Sequence, residues 1–293
     1  MFLCWTRTVA LLAIPLVTTA CIGAEIDDET EEPVAEAEDA VLSTNSILSN
    51  ALWKNSLNST ALTPAALAAN PLTWAGLSPG SRAAVQNPGP NGDLSRELLR
   101  YTVSCGLRPD QSLSFSWTDS SGTVRSETYR GDLGIADWWV YGPITDPYFQ
   151  SWISACLLSR TNWYGVSVLI SLRSGQPFLA SGAAERASYT VREGAFWGNL
   201  FGSTPYAHAC YSPTGVTRAR ALKRDCAAGH MDVDPGTGAS TTRPCGPITI
   251  AGSCDTVCSV VSSDGGFYAQ CLDNPANPSS ARTDQVVTSF LPP

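Results

Sequence analysis

Eight cysteines in the last two thirds of the chain constrain its fold more than any other feature of the sequence. The chain has ten cysteines in all, and the other two, Cys4 and Cys21, lie in an N-terminal segment with the layout of a secretory signal. An even number of cysteines in an exported protein predicts disulfide bonds. The eight are Cys105, Cys156, Cys210, Cys226, Cys245, Cys254, Cys258 and Cys271.

The pair Cys254 and Cys258 leaves a second interpretation open, because a C-x3-C spacing also occurs in metal sites. Zinc sites usually contain a second pair of this kind. Buried free thiols are a third alternative. We expect disulfides, with no metal ion and no cofactor.

Residues 1–20 have the three parts of a bacterial lipoprotein signal. One positive charge, Arg7, precedes an apolar stretch at 9–17, and small residues at 18–20 come directly before Cys21. The apolar stretch is too short to span a bilayer as a permanent helix. The sequence therefore predicts a cleaved signal peptide (1–20) and a lipid on Cys21. This lipid would anchor the protein in the bacterial cell envelope, at the outer membrane or the cell surface.

The formal net charge of −8 is concentrated in one short segment. Residues 22–40 contain nine acidic side chains and no basic one. Removing these nine acids and Arg7 from the totals of 26 acidic and 18 basic residues leaves 17 of each sign. The acidic run predicts a solvated tether over 21–40. The neutral body lacks the basic footprint that nucleic-acid binding requires, so the expected partners are the membrane, through the lipid, and a protein or glycan ligand.

Residues 41–79 carry an aliphatic side chain at every fifth position. This period matches neither helix nor strand, since successive positions would fall about 140° apart on a helix and on alternate faces of a strand. The pattern resembles the pentapeptide-repeat family, which folds as a four-sided right-handed β-helix. Two interpretations stay open: a spacer rich in Asn, Ala and Leu, or a short packed coil. The repeated residues are Leu42, Ile47, Leu52, Leu57, Leu62, Leu67, Leu72 and Leu77.

Residues 80–293 are predicted to form one disulfide-rich domain of the α+β class. Apolar residues at three- and four-residue spacing predict a helix that begins at Asp93 or Ser95 and a second helix over 146–160. Strands are expected at 112–117, 123–130, 166–172 and 189–193, with further short strands over 248–272.

Two disulfide pairs are predicted from these elements. Cys105 and Cys156 each lie on the apolar side of a predicted helix, so they would meet where the two helices pack. Cys258 and Cys271 would lie opposite each other in a hairpin that turns on 264–265, since opposed residues in that register sum to 529. The pairing of the other four, Cys210, Cys226, Cys245 and Cys254, stays open.

Five stretches of the body carry a family resemblance. They are RELLRYTVSC (96–105), SACLLSRTN (154–162), REGAFWGNLF (192–201), CGPI (245–248) and GSC (252–254). Together they resemble a family of uncharacterised lipoproteins of soil bacteria, several of which carry Asn-x-Leu repeats before a cysteine-rich domain. The resemblance implies a localisation and an architecture, and no activity.

The two histidines are the candidates for a catalytic base. His208 would need a nearby serine, and the sequence contains no G-x-S-x-G elbow to supply one, so packing beside a disulfide is favoured. His230 precedes Asp232 and Asp234, which suggests a metal-binding loop. Because the segment lacks the spaced acidic ligands of an EF-hand, a solvated turn is favoured there.

Glu185 and Glu193 are the candidates for a carboxylate pair of the kind that hydrolyses glycosides. Glu193 is the more informative of the two, because it adjoins the aromatic stretch 196–201. The favoured alternative is that Glu193 caps a neighbouring backbone segment or pairs with Arg192.

Tryptophan and tyrosine side chains are concentrated between positions 138 and 197. In an extended segment, Trp138 and Trp139 would point to opposite faces, so that one is buried and the other exposed. Exposed aromatic side chains stack on sugars or anchor protein partners, whereas core packing is the alternative. The candidate ligand-binding residues are Trp138, Trp139, Glu193 and Trp197.

These patterns favour a membrane-anchored, exported lipoprotein with a non-catalytic binding or scaffolding domain. One alternative is a secreted hydrolase that uses carboxylates near the aromatic residues, and another is a carbohydrate-binding module. An acidic group with a strongly raised pKa in a cleft would favour the enzyme.

Overall fold

The computed structural model describes residues 62–259 and 266–293 with their side chains, and residues 42–44, 47–48 and 260 by their backbone alone. Three predictions therefore lie outside the described residues: the signal peptide with its lipidated Cys21, the acidic tether, and the hairpin turn at 264–265. Among the residues described, no helix combines the length and the apolar character that a membrane span requires.

Helices and strands are interspersed along the described chain without regular alternation. The helices are α1 (Pro64–Ala68), α2 (Pro79–Val85), α3 (Pro90–Gly106), α4 (Pro147–Ser159), α5 (Ala183–Ser188), α6 (Val216–Ala221) and α7 (Cys254–Val257). The strands are β1 (Leu42–Thr44), β2 (Ile47–Leu48), β3 (Ser112–Thr118), β4 (Val124–Arg130), β5 (Thr161–Asn162), β6 (Leu169–Arg173), β7 (Val191–Asn199), β8 (Tyr206–Tyr211), β9 (His230–Val233), β10 (Ser240–Arg243), β11 (Thr249–Ser253), β12 (Cys258–Val260), β13 (Tyr268–Leu272), β14 (Arg282–Thr283) and β15 (Val287–Leu291).

A six-stranded sheet in the order β1-β6-β15-β7-β8-β11 organises the domain. Its pairs are antiparallel except for β8 and β11, which are parallel. The strand β15 lies between β6 and β7 and pairs with both. Helices and mainly antiparallel strands occur together, so the fold is α+β, as the sequence predicted.

The two faces of this sheet are covered by different layers. On one face, Leu172 and Phe196 pack in a core shared with α3 and α4. On the other face, Ala195 and Trp197 pack against the cysteine-rich layer formed by α7, β12 and β13. Because both faces are covered, β7 is apolar along much of its length, which is the pattern of a fully buried strand.

The helices α3 and α4 were predicted with small errors in their bounds. α4 begins directly after Asp146, whose carboxylate accepts a hydrogen bond from the Tyr148 amide at 2.9 Å. α3 begins earlier than predicted, at Pro90, where the proline ring presets the helical φ and no backbone N–H is lost. The hairpin of β3 and β4 agrees with the prediction. The strand predicted at 189–193 is wrong in extent, because β7 runs through the aromatic stretch.

The described part of the pentad segment contains a short helix and contacts the core of the domain. Residues 64–68 form helix α1. The backbone N–H of Leu72 donates to the Trp139 carbonyl at 2.9 Å, and the Trp139 indole donates to the Asn70 carbonyl at 2.9 Å. These contacts place residues 62–79 within the globular core, so the domain begins before residue 80. The buried leucines of this segment are Leu62, Leu67, Leu72 and Leu77.

A period of five buries all four leucines because the segment changes conformation between them. Pro71 cannot continue helix α1, and the turns that follow it reset the direction of the next side chains. Each leucine therefore reaches the core from a different local structure. A regular coil would have required one repeated backbone conformation.

Four disulfides join the eight described cysteines. Cys105 bonds to Cys156 between α3 and α4, with Cα atoms 6.1 Å apart, as predicted. Cys258 bonds to Cys271, and the two are paired across β12 and β13 in the predicted register. The register shifts between Ser259 and Val260, which the prediction did not include. The remaining bonds are Cys210–Cys254 and Cys226–Cys245.

Candidate anion-binding site

Two of the three candidate tryptophans are enclosed in the core. The Trp197 ring is fully buried, and its indole N–H donates to the Leu272 carbonyl at 3.0 Å. Trp139 is also fully buried. Trp138 is half-buried and meets Phe149 edge to face. The segment 137–140 is a 3-10 turn, not extended chain. A sugar ring therefore cannot stack on Trp139 or Trp197 in this structure.

Glu193 forms a buried ion pair, but its partner is Arg224 and not Arg192. The Arg224 Nε lies 2.7 Å from Glu193 Oε2, and both side chains are at most 1% exposed. The Ser289 hydroxyl donates to the same Oε2 at 2.6 Å. Arg224 also donates to the Ser159 carbonyl at 2.6 Å. Oε2 of this carboxylate is held by Arg224 and Ser289, and Oε1 is buried without a hydrogen-bond partner among the described residues. Neither oxygen is open to a substrate, so Glu193 is not placed to act as the acid or base of a hydrolase.

A β-bulge explains why Glu193 and Arg192 have different surroundings. In the pairing of β7 with β15, Gly194 lies opposite Ser289 and Arg192 lies opposite Phe290, so Glu193 has no partner residue. An extra residue of this kind re-aims the side chains that flank it. Glu193 then contacts Ser289, whereas Arg192 lines a cavity with Phe290. Local sequence did not indicate the bulge.

The two histidines have partners that do not form a catalytic arrangement. His208 lies in β8 between the rings of Trp197 and Tyr206. Burial lowers the pKa of His208, and the Asp273 carboxylate opposes that effect. Burial, followed by a hydrogen bond to Asp273, raises the pKa of Tyr206 to about 12. This cluster fits the predicted packing role of His208.

His230 is part of strand β9 and not of a solvated turn. Its ring stacks on Trp163 with centroids 4.4 Å apart. Its Nδ1 lies 2.8 Å from Asp225 Oδ2, and its Nε2 lies 3.4 Å from Asp232 Oδ1. Both ring nitrogens therefore face carboxylates. The sequence had suggested Asp232 as a metal ligand, but here it faces the histidine ring.

Two groups of cysteine and acidic side chains are close enough together to suggest metal sites. They are Cys210, Cys254 and Cys258, and Asp225, Cys226 and Cys245. All five cysteines are bonded in disulfides, and a disulfide sulfur is not the thiolate that binds a metal ion. In the oxidised chain, neither group has the donors of a metal centre.

A cavity of about 440 Å³ opens where β6 ends and β7 begins. Three arginines from three different elements line it, together with two threonine hydroxyls. None of the described residues that line the cavity carries a carboxylate. The lining residues are Arg173, Arg186, Thr190, Val191, Arg192, Thr214 and Phe290. We call this cavity the arginine pocket.

Arg173 is the most rigidly held of the three arginines. It is the last residue of β6 and is only 3% exposed. Its Nε donates to the Ser171 hydroxyl at 2.8 Å, and its Nη2 donates to the Tyr189 carbonyl at 2.7 Å. Its guanidinium carbon lies 3.8 Å from the centre of the Phe290 ring. The Ser171 hydroxyl in turn donates to the buried Glu185 carboxylate. Arg173 is therefore held rigidly at the wall of the pocket, in a polar network that includes an acidic group.

Arg192 has one hydrogen-bond donor, Nε, that the described part of the protein does not satisfy. Its guanidinium lies over the Tyr268 ring, 4.8 Å from the ring centre. Its Nε is buried, and among the residues described it has no hydrogen-bond partner. Arg186, on α5, donates to the Ser181 carbonyl and contributes the third charge.

The residue composition of the pocket favours an anion over a cation. Guanidinium groups are donors without acceptor capacity, and they remain charged at any physiological pH. Their planar forks match the oxygens of carboxylate, sulfate and phosphate groups. A pocket lined by three of them, with no described acid among its lining residues, can bind an anion.

This site was not predicted from the sequence. Arg192 was expected only as a partner for Glu193, and neither Arg173 nor Arg186 was a candidate. One feature of the sequence did point to it: Arg173 ends the apolar strand LISLR. An arginine that is buried there needs hydrogen-bonding or charged partners, because charged side chains are rarely buried without them. No local pattern connects it to Arg186 and Arg192, since the pocket depends on how β6, α5 and β7 are arranged.

No protein-family model matches the chain, and neither a curated protein nor a solved structure matches it.

Proposed function

We propose that this protein is an exported, lipid-anchored binding protein whose domain holds a small anionic ligand in the arginine pocket. The observation that carries the proposal is that three arginines line one cavity and that none of its described lining residues is acidic. The volume of about 440 Å³ falls within the range of small-molecule sites. It suits a ligand of one or two rings that carries a carboxylate, sulfate or phosphate group.

The chemistry favours an anionic group over the neutral faces of a sugar. Trp139 and Trp197 are buried, so the stacking platform of a typical sugar-binding module is not formed by them. The pocket supplies charged donors and two hydroxyls instead. A glycan ligand would therefore be recognised through an acidic group, such as that of a uronic acid. The hydrolase is not proposed, because Glu193 is held by Arg224.

Replacing Arg192 tests the pocket directly. Sulfate, inorganic phosphate and glucuronate are the probes, glucose is the neutral comparison, and isothermal titration calorimetry measures their affinities. We expect Arg192→Gln to weaken the anion that binds best by roughly ten- to 150-fold, the equivalent of one charge-assisted hydrogen bond of about 1.5–3 kcal/mol. Arg192→Lys should recover part of the affinity, since it keeps the charge without the planar fork.

Arg125→Gln is the matched control for this experiment. Arg125 lies in β4, outside the pocket, with an exposed side chain that pairs with Asp119 at 2.9 Å. Its loss should leave anion affinity unchanged. The proposal is wrong if the unmodified protein binds none of the three anions. It is also wrong if Arg192→Gln binds them as well as Arg125→Gln does.

The lipid anchor is the second part of the proposal and has its own test. It is supported by the charged, apolar and small-residue layout before Cys21. Four disulfides are also typical of a chain that matures in an oxidising compartment. In bacterial cells supplied with an alkyne-bearing fatty acid, the unmodified protein should become labelled, and Cys21→Ser should not. An unlabelled wild-type protein would refute the anchor without affecting the arginine pocket.

A further inference from the structure

Two of the four disulfides touch each other inside the cysteine-rich layer. Cys210–Cys254 joins β8 to α7, and Cys258–Cys271 joins β12 to β13. The Sγ atoms of Cys210 and Cys258, which belong to different bonds, are 3.5 Å apart. The Sγ atoms of Cys210, Cys254 and Cys258 all lie within 4.8 Å of one another. Among the described cysteines, this is the one contact between separate disulfides.

We propose that Cys210, Cys254, Cys258 and Cys271 form a thiol–disulfide exchange site. Disulfides exchange when a thiolate attacks a disulfide sulfur, forms a bond to it and displaces the second sulfur. The contact between Cys210 and Cys258 places an attacking sulfur and a target sulfur side by side. The two sulfurs are in van der Waals contact at 3.5 Å, and exchange requires them to approach further and to align with the bond that breaks.

The first step is reduction of Cys258–Cys271 by an external dithiol, either a small molecule or an exported thiol–disulfide oxidoreductase. The dithiol loses two electrons and two protons and becomes a disulfide, and Cys258 and Cys271 become thiols. Cys258 is the most accessible of the four cysteines, at 9% exposure, whereas the other three are fully buried. This bond is therefore the first that a reductant reaches.

The second step breaks the Cys210–Cys254 disulfide by exchange and needs no further reductant. The Cys258 thiolate attacks Cys210 Sγ, the Cys210–Cys254 bond breaks, and Cys254 leaves as a thiolate. Cys254 takes up the proton that Cys258 released, so the step changes neither the electron count nor the charge. The products are a Cys210–Cys258 disulfide and free thiols at Cys254 and Cys271.

The short segment that carries two of these cysteines makes the exchange local. Cys254 is the first residue of α7, and Cys258 is the first residue of β12, directly after that helix. In either pairing, Cys210 in β8 is bonded to the same segment. The anchoring of α7 and β12 to the central sheet is therefore kept while the partner cysteine changes.

The variant Cys271→Ser isolates the second step. It leaves Cys258 as a permanent thiol beside Cys210–Cys254. The folded protein is held at neutral pH, quenched with acid, alkylated and mapped by peptide mass spectrometry. We expect the label on both Cys254 and Cys258, because the two pairings interconvert. Label on Cys258 alone overturns the proposal.

Cys156→Ser is the matched control, since it leaves Cys105 in α3 as a single thiol without a disulfide partner. Its label should stay on Cys105. If Cys271→Ser does not fold, the wild-type protein treated with limiting dithiothreitol provides the second measurement. A Cys210–Cys258 crosslink in the partly reduced, acid-quenched sample supports the site. Native pairings alone at every extent of reduction refute it.

Discussion

Replacing Glu193 with alanine will lower the free energy of unfolding by about 3–5 kcal/mol, because the substitution leaves a guanidinium buried without its counter-charge. Arg224 and Glu193 are at most 1% exposed, and the carboxylate holds both Arg224 and Ser289. Water cannot replace these partners without opening the sheet. Urea denaturation of the variant, with the unmodified protein alongside, measures the loss.

A double variant separates the cost of an unpaired charge from the value of the ion pair. Glu193→Leu combined with Arg224→Met removes both charges and should recover most of the lost stability. Asp110→Ala breaks an exposed pair with Arg108 and should leave the urea midpoint unchanged. A Glu193→Ala midpoint equal to that of Asp110→Ala would show that the ion pair has no structural role.

Removal of the Cys105–Cys156 disulfide is expected to produce the second large effect. The bond closes a loop with a sequence separation of 51. For a loop of this length, restriction of the unfolded chain corresponds to about 4 kcal/mol. The double variant Cys105→Ala with Cys156→Ala should therefore unfold at a much lower urea concentration, since α3 and α4 would no longer be linked.

The Cys226–Cys245 bond provides the comparison, because its sequence separation is only 19. Its removal should cost about 3 kcal/mol by the same relation. Thermal unfolding of the two double variants, both under oxidising conditions, gives the order of their stabilities. A larger loss on removing Cys226–Cys245 would contradict the expectation based on loop length.

Features that depend on neighbouring residues were predictable from the sequence. The helix over 146–160, the face of it that carries Cys156 and the hairpin of β3 and β4 each follow from a few adjacent positions. The Cys258–Cys271 pair followed from counting outward from a two-residue turn. In each case the physical cause acts over a short stretch of chain, so a local pattern contains the information.

Features that depend on the assembly of distant segments were not predictable. Glu193 pairs with Arg224 because a bulge in β7 changes the direction of its side chain. The bulge exists only in the pairing of β7 with β15, so it cannot be read from the sequence of β7 alone. The arginine pocket needs β6, α5 and β7 in place together. The leucines of the pentad segment lie in the core because turns around Pro71 break their regular spacing. These arrangements depend on residues that are far apart in the chain, so no short stretch of sequence predicts them.

The position of β15 has a consequence for the order in which the molecule can be completed. Residues 287–291 are the middle of the sheet, yet they follow every other strand along the chain. Until they arrive, β6 and β7 have open edges that expose unpaired backbone groups. Pairings between such distant residues form slowly. A chain that is synthesised from its N-terminus therefore cannot close this sheet until residues 287–291 have been added.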